Sequence, residues 1–153
     1  IGWVVAPTEV RDKLVVAKQA ADLHTSTVAQ KIMADYLAHN DIDEHIAKIA
    51  ECYGAQAARM TEAIGRHFPE EVSVTDPEGG MFLWARLPEG CSSMALVEKA
   101  LACKVAFVPG KPFYPDGTGD NTLRLNFSNA DPERIEEGIA RLGACIKEFI
   151  AAL

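Results

Sequence analysis

Thr122-Leu123-Arg124-Leu125-Asn126-Phe127-Ser128 alternates polar and apolar side chains without a break. A period of two is the pattern of a β-strand with one face in a core, so the three apolar residues are expected to point inward and the four polar residues to the opposite face. A guanidinium held on a rigid strand suits planar, two-point binding of a carboxylate, which makes Arg124 the first candidate binding residue. The spacing alone favours the other interpretation, a solvated arginine on a half-exposed strand.

Other strand patterns lie on either side of the Arg124 segment. Val72 to Thr75 and Gly80 to Leu87 are predicted strands separated by an Asp-Pro-Glu-Gly turn, and Val105 to Val108 is a predicted buried strand. A long loop rich in proline and glycine, Pro109 to Asn121, then leads into the Arg124 strand. Loops of this length at strand ends often line sites.

Helical spacing dominates the rest of the chain. The apolar residues from Ile42 to Phe68 recur at steps of three and four, which predicts a helix of roughly 25 residues that Asp41 caps and Pro69 ends. Ser92 is expected to cap a short helix, and Asp131 the last one.

The first 40 residues follow a different pattern. Ile1 to Ala6 reads as a strand, Thr8 as the N-cap of a helix, and Thr27 with Gln30 as a capping box for a second helix. The strand finds no partner nearby and the first residue is not Met, so we expect the chain to be cut from a longer protein. The element order from residue 41 predicts a two-layer α+β domain over residues 41–153, with helices on one face of a small sheet.

Composition narrows the function classes. The 22 acidic against 15 basic residues give a net charge of -7, which argues against a nucleic-acid or anionic membrane partner. The sequence contains neither an apolar run of membrane-spanning length nor a signal peptide pattern, so a cytoplasmic location is expected. The four cysteines form no Cys-x-x-Cys pair and are expected to be free thiols. Asp41 and His45 have helical spacing but no third ligand, and no metal site is predicted.

Five segments, in this order, resemble the class I/II aminotransferases of fold type I, in the branch of aminoadipate, aromatic and kynurenine-type aminotransferases. These enzymes depend on pyridoxal phosphate (PLP). The segments are Ile1-Gly2-Trp3, the polar elbow Leu23 to Thr27 with Gln30, Gly79 to Trp84, Val108-Pro109-Gly110 with Phe113, and Leu123 to Ser128.

The resemblance implies that Arg124 binds the α-carboxylate of an amino acid or 2-oxo acid, that Gly80 and Phe82 flank the substrate, and that Phe113 walls the pocket. It implies a homodimeric full-length enzyme with PLP as cofactor. The catalytic lysine and the cofactor-binding residues would lie before Ile1, so no catalytic or cofactor-binding residue is assigned in this chain, which is expected to be inactive alone. Residues 41–153 would be the small carboxyl-terminal domain, and residues 1–40 a remnant of the large α/β domain.

Two alternatives stay open at the level of sequence. The first is the effector domain of a transcription regulator that joins a helix-turn-helix to an aminotransferase-like domain. The second is a non-catalytic α+β binding module.

Overall fold

The computed structural model describes residues 1–153, which divide into two compact units, Ile1–Ala47 and Lys48–Leu153. The first unit holds α1 (Thr8–Ala21), α2 (Thr27–His39) and the start of α3 (Ile42–His67). The rest of α3 belongs to the second unit. That unit also contains β1 (Ser73–Val74), β2 (Phe82–Arg86), α4 (Ser93–Ala102), β3 (Val108–Pro109), a 3-10 turn (Lys111–Phe113), β4 (Thr122–Asn126) and α5 (Pro132–Ala151).

The helices of the first unit form where they were predicted, but two caps differ. Pro7 rather than Thr8 precedes the first turn of α1 and offers no side-chain acceptor. Ser26 rather than Thr27 caps α2, its Oγ accepting a hydrogen bond from the Ala29 amide at 3.3 Å. A serine oxygen satisfies one of the orphan N–H groups of the first turn, and it does so only from the residue that precedes the helix.

The strand predicted at Ile1 to Ala6 is wrong: these residues are irregular in the structure. A strand needs a neighbour to accept and donate its backbone hydrogen bonds, and all four strands of the described chain lie between Ser73 and Asn126. The apolar character of Ile1 to Ala6 was therefore not enough to make these residues a strand.

The capping function predicted for Asp41 is confirmed, because its Oδ1 accepts hydrogen bonds from the Asp43 and Glu44 amides at 3.0 and 3.1 Å.

The second unit is built around a four-stranded antiparallel sheet in the order β1-β2-β4-β3. A strand was predicted at Val105 to Val108, but β3 begins three residues later, at Val108. The Val105 amide instead donates to the Ala100 carbonyl at 3.0 Å and closes the end of α4, after Lys104 has turned the chain with φ of 61°. β4 stops at Asn126 rather than Ser128, since the Asn126 side chain accepts from the Ser128 amide in a local turn.

One face of the sheet carries the core. Leu83 and Ala85 of β2 and Leu123 of β4 are fully buried, and Leu125 is 4% exposed. They join one apolar cluster with α3, α4 and α5, which confirms the two-layer α+β architecture. The buried helix residues of that cluster are Met60, Ala63, Ile64, Leu96, Ala100, Ile135, Ile139, Leu142, Cys145, Ile146 and Phe149.

Helix α5 approaches the end of α3 at a glycine. A Cβ placed on Gly143 would collide with the carbonyl oxygen of His67, whereas a Cβ on Gly138, one turn earlier in α5, would meet nothing within 4 Å. Close packing of the two helices at this point therefore requires the missing side chain. None of the helices combines the length and the apolar composition that crossing a bilayer requires.

An ion-pair cluster joins the same two helices at the surface. Glu136 of α5 binds Arg66 through one carboxylate oxygen and the His67 ring nitrogen Nε2 through the other, at 2.7 Å. The hydrogen bond from Arg66, followed by that from His67, lowers the pKa of Glu136 below its usual value.

We expect Gly143→Ala to destabilise the chain by about 1–3 kcal/mol, because the added methyl group forces α5 away from the His67 carbonyl. Gly138→Ala is the matched control on the same helix, where alanine should stabilise by roughly 0.5–1 kcal/mol. The free energy of unfolding in urea measures both changes. Equal stabilities for the two variants would contradict the close approach.

We expect Glu136→Gln to destabilise the chain at neutral pH and to lose this effect in acid. A carboxyl group whose pKa is lowered by folding contributes stability above its ordinary pKa of 4.5, and that contribution disappears as the pH falls through the lower, folded value. Melting temperatures between pH 3 and pH 7 should therefore converge below about pH 4.5. Glu70→Gln, which changes an exposed carboxylate outside the ion pairs, is the control and should show no such convergence.

Candidate functional site

Arg124 lies at the centre of the sheet. Its strand, β4, pairs with β2 on one side and β3 on the other, and Arg124 stands opposite Trp84 and Val108. Backbone hydrogen bonding on both sides fixes the position from which the side chain leaves the sheet. Leu123 and Leu125 point into the core, so alternation directs the Arg124 side chain to the other face.

Two phenylalanine rings flank the Arg124 guanidinium. Its central carbon Cζ lies 4.0 Å from the ring centroid of Phe82 on β2 and 4.9 Å from that of Phe113 in the 3-10 turn. Both distances are within the range of cation–π attraction. The structure thus brings together three of the four residues predicted for the site.

The guanidinium itself has no anionic partner. Arg124 takes part in none of the ion pairs of the described chain, and its Nε is buried without a hydrogen-bond partner. A buried donor left unpaired costs about 1–3 kcal/mol, so such a group is expected to have a functional reason. A planar cation between apolar rings, with free N–H groups, is suited to binding a carboxylate.

Trp84 is the residue that sequence reasoning missed. Its ring packs edge-to-face on that of Phe113, with ring centroids 5.6 Å apart and ring planes at 81°. The ring centroid of Tyr114 lies 6.2 Å from that of Trp84. Since Trp84 stands directly opposite Arg124, it supports the ring that covers the guanidinium. The signal in the sequence was its spacing of two from Phe82, which places both aromatic residues on the face of β2 that Arg124 shares.

The loop that carries Phe113 is fastened to β4 at Thr122. The Gly110 amide donates to the Thr122 carbonyl at 2.7 Å, and the Thr122 hydroxyl donates to the Gly119 carbonyl at 2.7 Å. A side chain on Gly110 would collide with Thr122. Thr122 was predicted on the open face with Arg124, but it is fully buried, because this loop covers it.

Gly80 lies two residues before Phe82 and has φ of 80°, a conformation that glycine adopts without strain. A Cβ at this position would meet nothing within 4 Å. Its clearest contribution is therefore to the turn that leads into β2. Lys111, in the loop, lies 3.8 Å from Asp120 and so is already paired with a carboxylate.

The histidines and acidic residues form no group of three that could hold a metal ion. Asp41 caps α3, and the Nδ1 atoms of His24 and His39 lie 3.0 and 2.8 Å from the backbone carbonyl oxygens of Thr25 and Asp35. Of the two residues that the sequence raised as possible ligands, Asp41 is therefore engaged in a helix cap.

Two relatives are similar to this chain over nearly its whole length. Aromatic-amino-acid aminotransferase 1 of Thermococcus litoralis is 45% identical over 97% of this chain and 36% of its own length. 2-Aminoadipate transaminase of Thermus thermophilus is 42% identical over 99% of this chain and 38% of its own length. The chain thus spans little more than a third of the curated relatives it matches.

A solved structure agrees with these two relatives. The α-aminoadipate aminotransferase of Thermus thermophilus, crystallised with N-(5'-phosphopyridoxyl)-L-leucine, matches with a TM-score of 0.84 and 43% identity, over 97% of this chain and 38% of that one.

Helix-turn-helix transcriptional regulators of Bacillus subtilis and Escherichia coli are also similar, at 28% and 30% identity over 97% of this chain.

The family model of aminotransferase class I and II matches residues 1–142, most of the chain. The match includes the site strand β4 and the two segments that supply Phe82 and Phe113. On the strength of this match and of relatives above 40% identity, the chain belongs to the class I and II aminotransferase family.

Proposed function

We propose that this chain is the carboxyl-terminal part of a PLP-dependent aminotransferase, which moves an amino group between an amino acid and a 2-oxo acid. In this proposal Arg124 binds the α-carboxylate of both substrates. The observation that carries it is the unpaired Arg124 guanidinium on β4, which has a buried Nε and lies between Phe82 and Phe113.

One arginine serves both half-reactions because the amino acid and the 2-oxo acid share the carboxylate next to the reacting carbon. Two parallel N–H···O bonds fix the carboxylate plane and so orient that carbon. Phe82 and Phe113 exclude water from the guanidinium faces, which strengthens its attraction for a carboxylate at the edge. Gly80 shapes the turn that delivers Phe82 to this place.

The residues around Arg124 fit a substrate carboxylate and do not fit the cofactor itself. Neither ring nor guanidinium offers the amine that PLP needs for attachment, and the one lysine of the loop, Lys111, pairs with Asp120. When bound, PLP supplies an electron-withdrawing ring that stabilises charge at the α-carbon. We therefore assign PLP binding and the catalytic lysine to residues outside this chain, and expect the isolated chain to be inactive.

The exposed apolar surface of the first unit supports the proposal that this chain is part of a larger protein. Trp3 is 85% exposed and Val5 93%, and neither α1 nor α2 buries a single residue. Apolar residues in this number normally face another part of a protein. We propose that residues 1–40 are a remnant of the large α/β domain, that residues 41–153 are the small domain, and that the complete protein is a homodimer.

We propose a cytoplasmic location for the protein, which fits the four free cysteines.

The alternative of a regulator's effector domain has weaker support. The two helix-turn-helix relatives named above are 28% and 30% identical, against 42% and 45% for the two aminotransferases. A non-catalytic binding module would also use the unpaired guanidinium to hold a carboxylate, but it would not explain the 42–45% identity to aminotransferases. The enzyme therefore remains the function that the site supports best.

We expect Arg124→Lys, made in the complete protein that carries this chain, to lower kcat/KM by roughly 10- to 100-fold for both the amino acid and the 2-oxo acid. The reason is that a charge-assisted hydrogen bond contributes about 1.5–3 kcal/mol and lysine cannot bind a carboxylate through two parallel bonds. Steady-state transamination kinetics measure the loss. Arg86→Lys, on the exposed end of β2, is the matched control and should retain wild-type values.

Unchanged kinetics in Arg124→Lys would remove Arg124 from substrate binding. A wild-type protein that loads PLP but transaminates no amino acid would instead refute the enzyme itself and favour the regulator. The two failures are therefore distinguishable.

We expect Phe113→Leu to raise KM for the amino acid by about 3- to 10-fold, because a cation–π contact of roughly 0.5–1.5 kcal/mol no longer holds the guanidinium in place before the carboxylate binds. The same substitution should have a smaller effect in the Arg124→Lys background, since the two residues act on one carboxylate. A double-mutant cycle on KM measures this coupling. Equal losses in both backgrounds would show that Phe113 acts independently of Arg124.

A further inference from the structure

Two cysteine sulfurs are in contact at the end of α4. Cys103 is the C-cap residue of α4, Cys145 lies in the second half of α5, and their Sγ atoms are 3.2 Å apart. The two residues are separated by 42 positions in the chain. A disulfide bond is about 2.05 Å long, so the sulfurs need to approach by only about 1 Å to bond.

The fold holds the two thiols together. Leu96 and Ala100 of α4 are fully buried in the same cluster as Leu142 and Ile146, which flank Cys145 on α5. Packing of these helices brings the end of α4 over α5. The chain then turns sharply at Lys104, whose φ is 61°, so Cys103 stays at the helix end.

The other two cysteines have no such neighbour. Cys52 is exposed, and its sulfur lies 3.9 Å from the side-chain oxygen of Gln56. Cys91 is buried, which raises the pKa of its thiol and keeps reagents in solution away from it, and no second sulfur lies within hydrogen-bonding distance. The chain thus contains one adjacent pair and two separate thiols that serve as internal controls.

The pair is asymmetric. Cys103 is exposed, whereas Cys145 is only 4% exposed and donates its S–H to the Cys103 sulfur. Burial, and after it the hydrogen bond with Cys103, raises the pKa of Cys145 to about 11. A reagent in solution therefore meets Cys103 first, and Cys145 follows.

We propose that Cys103 and Cys145 form a thiol–disulfide exchange site that reacts with small-molecule disulfides. The Cys103 thiolate attacks one sulfur of the reagent, the reagent S–S bond breaks, and one thiolate leaves. Cys145 then gives its proton to solvent, and its sulfur attacks Cys103, releasing the second reagent thiolate. The two protein thiols lose two electrons and two protons, and the reagent disulfide is reduced to two thiols.

The bond would enclose the segment that carries the Arg124 site. Between Cys103 and Cys145 lie β3, the 3-10 turn with Phe113, and β4 with Arg124. Closing a loop of this length restricts the unfolded chain, so the oxidised form is expected to melt roughly 5–10 °C higher. The inference stands on the sulfur geometry and does not depend on the proposed aminotransferase activity.

The test is to incubate the complete protein that carries this chain, in reduced form, with oxidised glutathione at pH 8 and to map its thiols by alkylation, proteolysis and mass spectrometry. We expect a Cys103–Cys145 crosslinked peptide two hydrogen atoms lighter than its two reduced parts, a Cys91 that can still be alkylated, a higher melting temperature, and reversal of the crosslink by dithiothreitol. Cys52→Ser should form the same bond.

Single substitutions in the pair separate the two steps. Cys145→Ser should hold a stable glutathione adduct at Cys103, and Cys103→Ser should leave Cys145 unmodified while the chain stays folded by circular dichroism. Crosslinks through Cys52 or Cys91, glutathione on both members of the pair, or no loss of thiols in the folded wild type would each overturn the proposal.

Discussion

The antiparallel pairing of β2 with β4 is the constraint on which both the core and the site depend. Its register sets Trp84 opposite Arg124 and Leu83 opposite Leu125. Side chains alternate across a sheet, so the register that buries the leucines also places the aromatic residues of β2 on the face of Arg124. A slip of one residue would expose the core residues, and their burial therefore fixes the site as well.

This pairing allows the chain to keep an energetically costly side chain. The unpaired Nε of Arg124 forfeits a hydrogen bond, and the contacts with Phe82 and Phe113 offset part of that cost, at roughly 0.5–2 kcal/mol each. The strand cannot rotate to release the guanidinium, because its other face is held in the core by Leu123 and Leu125. A preorganised cation of this kind loses little free energy to ordering when an anion binds.

The segment between α4 and α5 combines the site with the paired thiols. Gly110 fastens its loop to Thr122, next to Arg124; Cys103 lies at the start of the segment, and Cys145 lies beyond its end, within α5. Trp84 supports the same loop from β2 through Phe113. The hydrogen bonds of the loop and the contact between the two thiols therefore both restrain the part of the chain that carries Arg124.

Periodicity and capping chemistry in the sequence determined the helices, the strand β4 and the outward direction of Arg124, because these depend on residues close in the chain, such as Asp41 before α3 and Asp131 before α5. Only the tertiary structure decided that Ile1 to Ala6 is not a strand, that Val105 closes a helix, and that Thr122 is buried. It also decided that Trp84 supports Phe113 and that Cys103 meets Cys145. Each of these outcomes depends on a partner that alternation and helical spacing cannot identify, in most cases one distant in sequence.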